Sequence, residues 1–358
     1  MNRPFWAGKR VFVTGHSGFM GGWLSLVLRE AGADVTGFAL TPPSEPNFFT
    51  LTRLASGMCS IMGDIRDAAA IERAVVEARP EVLFHLAAQP LVRASYADPA
   101  GTYTTNVVGT VHVFEAARKA GVRTIVNVTS DKCYENREWP WGYRESDAMG
   151  GYDPYSSSKG CAEIVTAAYR RSFFAQSGAG VASVRAGNVI GGGDWASDRI
   201  VPDFIRAVSA GKPLRVRNPN AVRPWQHVLE PVFAYLLLAE HLASDPVRFA
   251  EGWNIGPQEG DAQTVGAVVE RLTRLWGAGA AWETDRGPHP HEANYLKLDC
   301  SKARQELGWA PRWSLDDTLE RLVEWYRAWH GGADMRATSL AQIAAFTSAG
   351  AAAAVSKG

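Results

Sequence analysis

A tyrosine and a lysine stand four residues apart in DPYSSSKGCAEIV, residues 153–165. On a helix this spacing puts both side chains on one face. An ammonium beside a phenol favours the phenolate and draws the phenol down from its ordinary pKa of about 10. Tyr155 and Lys159 can therefore act as a proton-transfer pair. A second polar group lies upstream, where TIVNVTSDKCY sets Ser130, Asp131 and Lys132 in succession. A third is VTGHSGFMGGW, with Gly15, Gly18 and Gly21 in a G-x-x-G-x-x-G spacing. Glycines there allow positive φ and let backbone approach a pyrophosphate with no Cβ in the way. Y-x-x-x-K alone recurs by chance. Its weight comes from the order: a glycine turn, then a strand ending in polar residues, then this helix.

The elements that must position these groups can be read from the pattern. KRVFVTG and ADVTGFAL are short apolar strands on either side of the helix GGWLSLVLREAG, which Gly32 closes. AAAIERAVVEARP is a helix, EVLFHLAA a buried strand and GTYTTNVVGTVHVFEAARKAG one long helix. RTIVNVTS and GVASVRAGNVIG are further strands, separated by the helix after Pro154, a residue tolerated in a first turn. Strands without polar alternation, interleaved with helices, predict an α/β fold with a doubly wound parallel sheet covered on both faces. Residues 1–187 form the dinucleotide-binding domain in this reading. Residues 188–340, denser in Trp, Arg, Pro and Asn, form a smaller mixed α/β substrate lobe. The part at about 225–258, with helix LEPVFAYLLLAEHLAS and strand GWNIGP, returns to the first domain. Residues 341–358 read as a frayed tail.

The chain has 358 residues, 37 basic and 37 acidic, and a formal net charge of zero. This balance leaves no footprint for nucleic acid or an anionic membrane. No apolar run is long enough to span a bilayer, and the N-terminus lacks a signal peptide's apolar core. Cys59, Cys133, Cys161 and Cys300 form no C-x-x-C pair. They read as reduced thiols of a cytoplasmic protein, and no metal site is expected.

These motifs resemble the extended short-chain dehydrogenase/reductase superfamily, the NAD-dependent epimerases and dehydratases, across roughly residues 8 to 330. They are TGHSGFMG, GDIRD, HLAAQ, TNVVGT, VNVTSDKCY, YSSSK and RPWQHV. Within it, LAAQPLVRASY, TSDKCYENREWPWGYRE, RAGNVIGGGDWASDRIVPD and HEANYLKLDCSKARQELGW are most similar to the 4,6-dehydratases of CDP-glucose. The resemblance implies a Rossmann-type fold and NAD as cofactor. It implies that Gly15, Ser17, Gly18, Phe19, Met20, Gly21, Asp64, Ile65, Leu86, Ala87, Ala88, Gln89, Asn106, Tyr155 and Lys159 contact the cofactor. Relatives often carry Lys where Met20 stands, and Thr41 replaces the acidic residue that commonly holds an adenosine ribose. Both departures suggest looser cofactor retention, and the lack of a basic residue at 41 favours NAD over NADP.

The resemblance also implies a reaction. Tyr155 takes the proton of the sugar 4-hydroxyl as C4 is oxidised, Lys159 lowers the Tyr155 pKa, and Ser130 bonds the 4-oxygen. Asp131 protonates the departing 6-hydroxyl. Lys132 is either the base for the C5 proton or a cation that stabilises the enolate. Asn188, Arg199, Arg223, His291 and Tyr295 are expected to hold the nucleotide of CDP-glucose. A C4-epimerase, which needs no Asp131–Lys132 pair, and a non-catalytic NAD-binding protein are the rival readings. A homodimer or homotetramer is implied, and the product would feed 6-deoxysugars of a surface polysaccharide such as lipopolysaccharide O-antigen.

Overall fold

Short β-branched and aromatic runs form strands where both faces can be covered. In the computed structural model, which describes residues 1–287 and 294–355, seven of them make one sheet. They are β1 Arg10–Thr14, β2 Asp34–Ala39, β3 Cys59–Met62, β4 Val82–His85, β5 Thr124–Val128, β6 Gly180–Ala186 and β7 Gly252–Ile255. Their order across the sheet is β7-β6-β5-β4-β1-β2-β3, and every pairing is parallel. Successive residues of a strand serve opposite cores. Val11 and Val13 pack with Trp23, Leu24 and Val27 on one face, whereas Phe12 packs with Ile71, Val75 and Phe114 on the other. The sheet is thus doubly wound, as the sequence pattern predicts.

Sequence order runs outward in both directions from the β1–β4 pair, where Val11 lies opposite Val82. Helices leave to opposite faces at this point, so a crevice opens at the carboxyl ends of the strands. Helix starts follow their caps. Asp153 accepts the Ser156 N–H at 2.9 Å, which fixes the start of helix Pro154–Tyr169. Asp67 caps Ala68–Ala78 in the same way. Helix Phe19–Glu30 starts at Gly18 without a side-chain cap, leaving its first N–H groups for a ligand or water.

Three expectations need correction. The helix expected over 101–121 runs from Pro99 to Lys119 but widens into a π-helical turn at Thr104–Val108. Such turns accommodate an extra residue and recur at functional sites. The strand expected over 180–191 breaks at Gly187–Asn188, where Asn188 has φ +33°, and Val189–Ile190 pairs instead with Gln226–His227. The expected tail is a helix, Met335–Val355, with Ile343 and Phe346 buried. Arg312 anchors it. Its Nη1 donates to the Phe346 carbonyl at 3.0 Å, and its guanidinium lies 4.8 Å from the Phe346 ring centroid and 5.0 Å from that of Phe233.

Beyond Gly187 the chain forms short strand pairs, Leu214–Val216 with Trp282–Thr284 and Val222–Pro224 with Ala262–Thr264, among the helices Ile200–Ser209, Val265–Trp276 and Leu315–His330. Helix Leu229–Ser244 packs against β5 and β6, and β7 follows it into the sheet. Buried Glu230 accepts the backbone N–H groups of Arg312 and Trp313, each at 2.8 Å, and so ties this helix to the C-terminal part. Among the described residues no helix is long and apolar enough to cross a membrane.

Candidate active site

A cavity of about 1200 Å³ opens at the crevice and extends into the second lobe. Gly15, Ser17, Gly18, Phe19, Met20, Gly21, Asp64, Ile65, Leu86, Ala87, Ala88 and Gln89 line its first part. The glycines are required by contact. Gly15 has φ +79°, and a Cβ there would meet the Ala87 nitrogen at 2.8 Å. A Cβ on Gly21 would lie 2.1 Å from the Gly15 carbonyl oxygen. A smooth backbone cradle below the uncapped start of helix Phe19–Glu30 fits a dinucleotide pyrophosphate. Asp64 lines the cavity while its carboxylate accepts from Arg66 Nη2 at 2.6 Å, and that cation holds it below the usual carboxylate range.

Behind the cradle a hydrogen-bond chain fixes the 85–89 loop. The Thr14 hydroxyl accepts the Leu86 and Ala87 N–H groups at 3.1 Å and so donates to His85 Nδ1 at 2.7 Å. His85 Nε2 then carries the proton and donates to Thr110 Oγ1 at 3.0 Å. Burial keeps this imidazole neutral, its pKa drawn down to about 3. Asn106, expected at the cofactor, stands behind it instead. Its amide accepts the Gln89 N–H at 2.8 Å and donates to the Gln89 carbonyl at 3.1 Å and to Ser158 Oγ at 2.9 Å. The π-helical turn is what aims it there.

The structure brings Ser130, Asp131, Lys132, Tyr155 and Lys159 together on the cavity wall. Ser130 follows β5, donates to Asp131 Oδ1 at 3.0 Å and accepts the Lys132 N–H at 3.2 Å. Asp131 Oδ2 is buried without a partner. Desolvation pushes this carboxyl up, against the pull of Lys132, Ser130 and Arg223. Tyr155 is buried and its pKa is pushed up to about 12, mainly by desolvation. The Ser130 hydroxyl and the Arg199 guanidinium pull it back, whereas Asp131 raises it. The net direction is upward, so burial outweighs any lowering by Lys159 in this structure. Burial draws Lys159 itself down to about 8, opposed chiefly by Glu163.

Asn188, Arg199 and Arg223 line the far part of the cavity. Arg199 Nη1 donates to Asp194 Oδ2 at 3.0 Å. The loop holding Asp194 is clamped: Trp23 Nε1 donates to the Gly192 carbonyl at 2.9 Å and the Tyr326 hydroxyl to the Asp194 carbonyl at 2.6 Å. Arg223 is only 6% exposed, so it is no surface charge. Tyr295 does not line the cavity. Its backbone bridges to Val222 beside Arg223, and its hydroxyl donates to the Pro140 carbonyl at 3.4 Å. His291 lies outside the described residues.

Sequence reasoning missed Asp194 and a second cluster, in which Asp198 accepts from Arg93 at 3.3 Å and Arg217 at 3.0 Å across the cavity. The available signal was GGGDWASDR, whose glycines mark a closely packed loop. Trp139 and Trp141 lie outside the cavity lining, with Trp139 stacked 5.3 Å from Tyr143, whereas Trp195 lines it.

A doubly wound sheet with a glycine cradle and a buried tyrosine–lysine helix defines a dinucleotide-dependent enzyme class. The chain belongs to the GDP-mannose 4,6 dehydratase family, whose model matches residues 12–322. It is 54% identical to the CDP-glucose 4,6-dehydratase of Salmonella typhimurium (strain LT2), over 98% of this chain and 99% of that protein. In structure it is similar to the UDP-glucose 4-epimerase of Thermotoga maritima solved with UDP-glucose, with a TM-score of 0.78 and 26% identity over 89% of this chain and 99% of that one. It is also similar to MoeE5 in complex with UDP-glucose and NAD, with a TM-score of 0.75 and 27% identity over 90% and 100% of the two chains.

Proposed function

We propose that the protein converts CDP-glucose to CDP-4-dehydro-6-deoxyglucose and water. The observation that carries this reading is the buried Asp131 carboxyl beside Ser130, Lys132 and Tyr155, in a chain 54% identical to a CDP-glucose 4,6-dehydratase. When bound, NAD would lie in the glycine cradle of Gly15, Gly18 and Gly21 and would supply the two-electron acceptor for C4 and the donor for C6. Tyr155 takes the 4-hydroxyl proton as phenolate, a form that the Lys159 ammonium one turn away and the positive nicotinamide of bound NAD would favour, and Ser130 bonds the 4-oxygen. The ketone acidifies the C5 hydrogen. Asp131, whose carboxyl burial pushes up, gives its proton to the departing 6-hydroxyl. Lys132 serves the C5 side, as base or as the cation that stabilises the enolate. Asn188, Arg199 and Arg223 hold the substrate in the far part of the cavity, where guanidinium groups suit a diphosphate.

A homodimer accompanies this reading. Tyr103, Val108, Ile164 and Phe173 leave apolar surface exposed on the segments 99–119 and 154–174. Phe114, by contrast, belongs to the internal core. The product suits further conversion to 6-deoxysugars of a surface polysaccharide.

The test is mass spectrometry after incubation with CDP-, UDP-, dTDP- and GDP-glucose, with and without added NAD. Loss of one water from CDP-glucose alone is the expected result. Dependence on added NAD is expected from Met20 and Thr41. Epimerised substrate with no mass change would replace the dehydratase reading by a C4-epimerase.

A further inference from the structure

Glu163 is a buried carboxylate that the proposed reaction does not use. It stands one turn beyond Lys159 on helix Pro154–Tyr169, on the same face. Its Oε1 accepts the Thr129 hydroxyl, and its Oε2 accepts the Ser183 hydroxyl at 2.7 Å and Arg185 Nη2 at 2.8 Å. Thr129 immediately precedes Ser130 at the end of β5, and Ser183 and Arg185 lie on β6. One carboxylate thus fastens the Tyr155–Lys159 helix to both neighbouring strands. Arg185 is fixed in turn, donating to the Tyr134 hydroxyl at 2.7 Å and the Glu145 carbonyl at 3.1 Å.

Lys159 is 6% exposed, and among the described residues no carboxylate forms an ion pair with it. Stripped of hydration, an ammonium there needs a negative charge nearby to stay protonated. Glu163 is the first group that opposes the effect of burial, followed by the Cys133 thiol, which burial keeps neutral. The other titratable neighbours are the His85 imidazole and the Tyr155 phenol, both held neutral by desolvation. Arg185 pairs with Glu163, and Glu163 also supports the charge on Arg170. Glu163 is the charge of this pair that bears on Lys159 directly, and Arg185, bonded to it, offsets part of that effect.

We propose that Glu163 is a positioning residue that keeps Lys159 an ammonium and locks its helix against the strand end carrying Ser130, Asp131 and Lys132. A purely structural carboxylate would affect folding stability without moving the titration of Lys159.

The experiment reads Lys159 directly, in the full chain labelled with ε-¹³C lysine, its signal assigned with Lys159→Arg. Glu163→Gln is expected to lower the titration midpoint of Lys159 by about one pH unit. This variant leaves the Arg185 guanidinium buried and unpaired, which can prevent folding. The double variant Glu163→Gln with Arg185→Met removes both charges and is expected to show a smaller fall in the same direction. Thr129→Val removes one hydrogen bond but keeps the carboxylate, and is expected to leave the midpoint in place. An unchanged midpoint in the double variant, or an equal fall in Thr129→Val, overturns the proposal. No turnover is needed, so the result is independent of the substrate assignment.

Discussion

The Cα of Gly187 faces the carboxylate of Asp131 so closely that a Cβ there would lie 1.9 Å from Oδ2. The glycine at the kink after β6 therefore gives the acid its space. Its other oxygen, Oδ1, accepts the Ser130 hydroxyl at 3.0 Å.

Gly187→Ala should displace the carboxyl while leaving the sheet intact. A misplacement of about 1 Å can cost on the order of 100-fold in rate. We expect kcat for CDP-glucose to fall about 10- to 100-fold, with KM little changed and the far-ultraviolet circular dichroism preserved. A wild-type kcat would remove Asp131 from the chemistry.

Asp131→Asn separates activity from stability. The folded state binds the Asp131 proton more tightly than the unfolded state does, because desolvation raises this carboxyl. Stability therefore falls as pH rises from the unfolded value, near 3.9, through the raised folded value. Asparagine keeps the neutral form at every pH. Turnover should drop about 10²- to 10⁴-fold, whereas Tm at pH 7.5 should rise by about 1–3 °C. The gain should vanish near pH 4, as differential scanning calorimetry across pH would show.

Lys159 is expected to set the alkaline limit of activity. Its ammonium titrates at about 8, with desolvation as the main cause. Turnover that needs this cation should decline on the alkaline side with an apparent midpoint near pH 8. Lys159→Arg keeps a cation throughout and should abolish that limb, at a lower overall rate. Rates from pH 6 to 10 for both proteins provide the check, and a limb retained in the arginine variant would assign it to another group.

What could be read from the sequence was whatever repeats or sits at short spacing. The strands, the glycine turn and the Tyr155–Lys159 pair are local patterns, and each lies where its spacing predicts apart from the run over 180–191, which splits at Gly187. The Tyr155 environment was misjudged because local spacing shows a cation one turn away but not the burial that outweighs it. Asn106 was misplaced because the π-helical turn, which rotates it toward Gln89, leaves no mark in the apolar periodicity. The helix Met335–Val355 was read as a tail because its alanines give no amphipathic stripe. Its anchor, Arg312, is more than thirty residues from Phe346 in the chain.

The return of the chain to the sheet at β7 bears on how such a protein can be inherited. The outermost strand beside β6 is supplied by residues 252–255, after most of the far cavity wall has already been built. A gene fragment ending at Gly187 would encode a sheet with β6 bared as an edge. One beginning there would carry a strand with no sheet to join. Neither half can be exchanged as an independent cassette. The far cavity wall and the sheet edge are thus parts of one continuous stretch of chain.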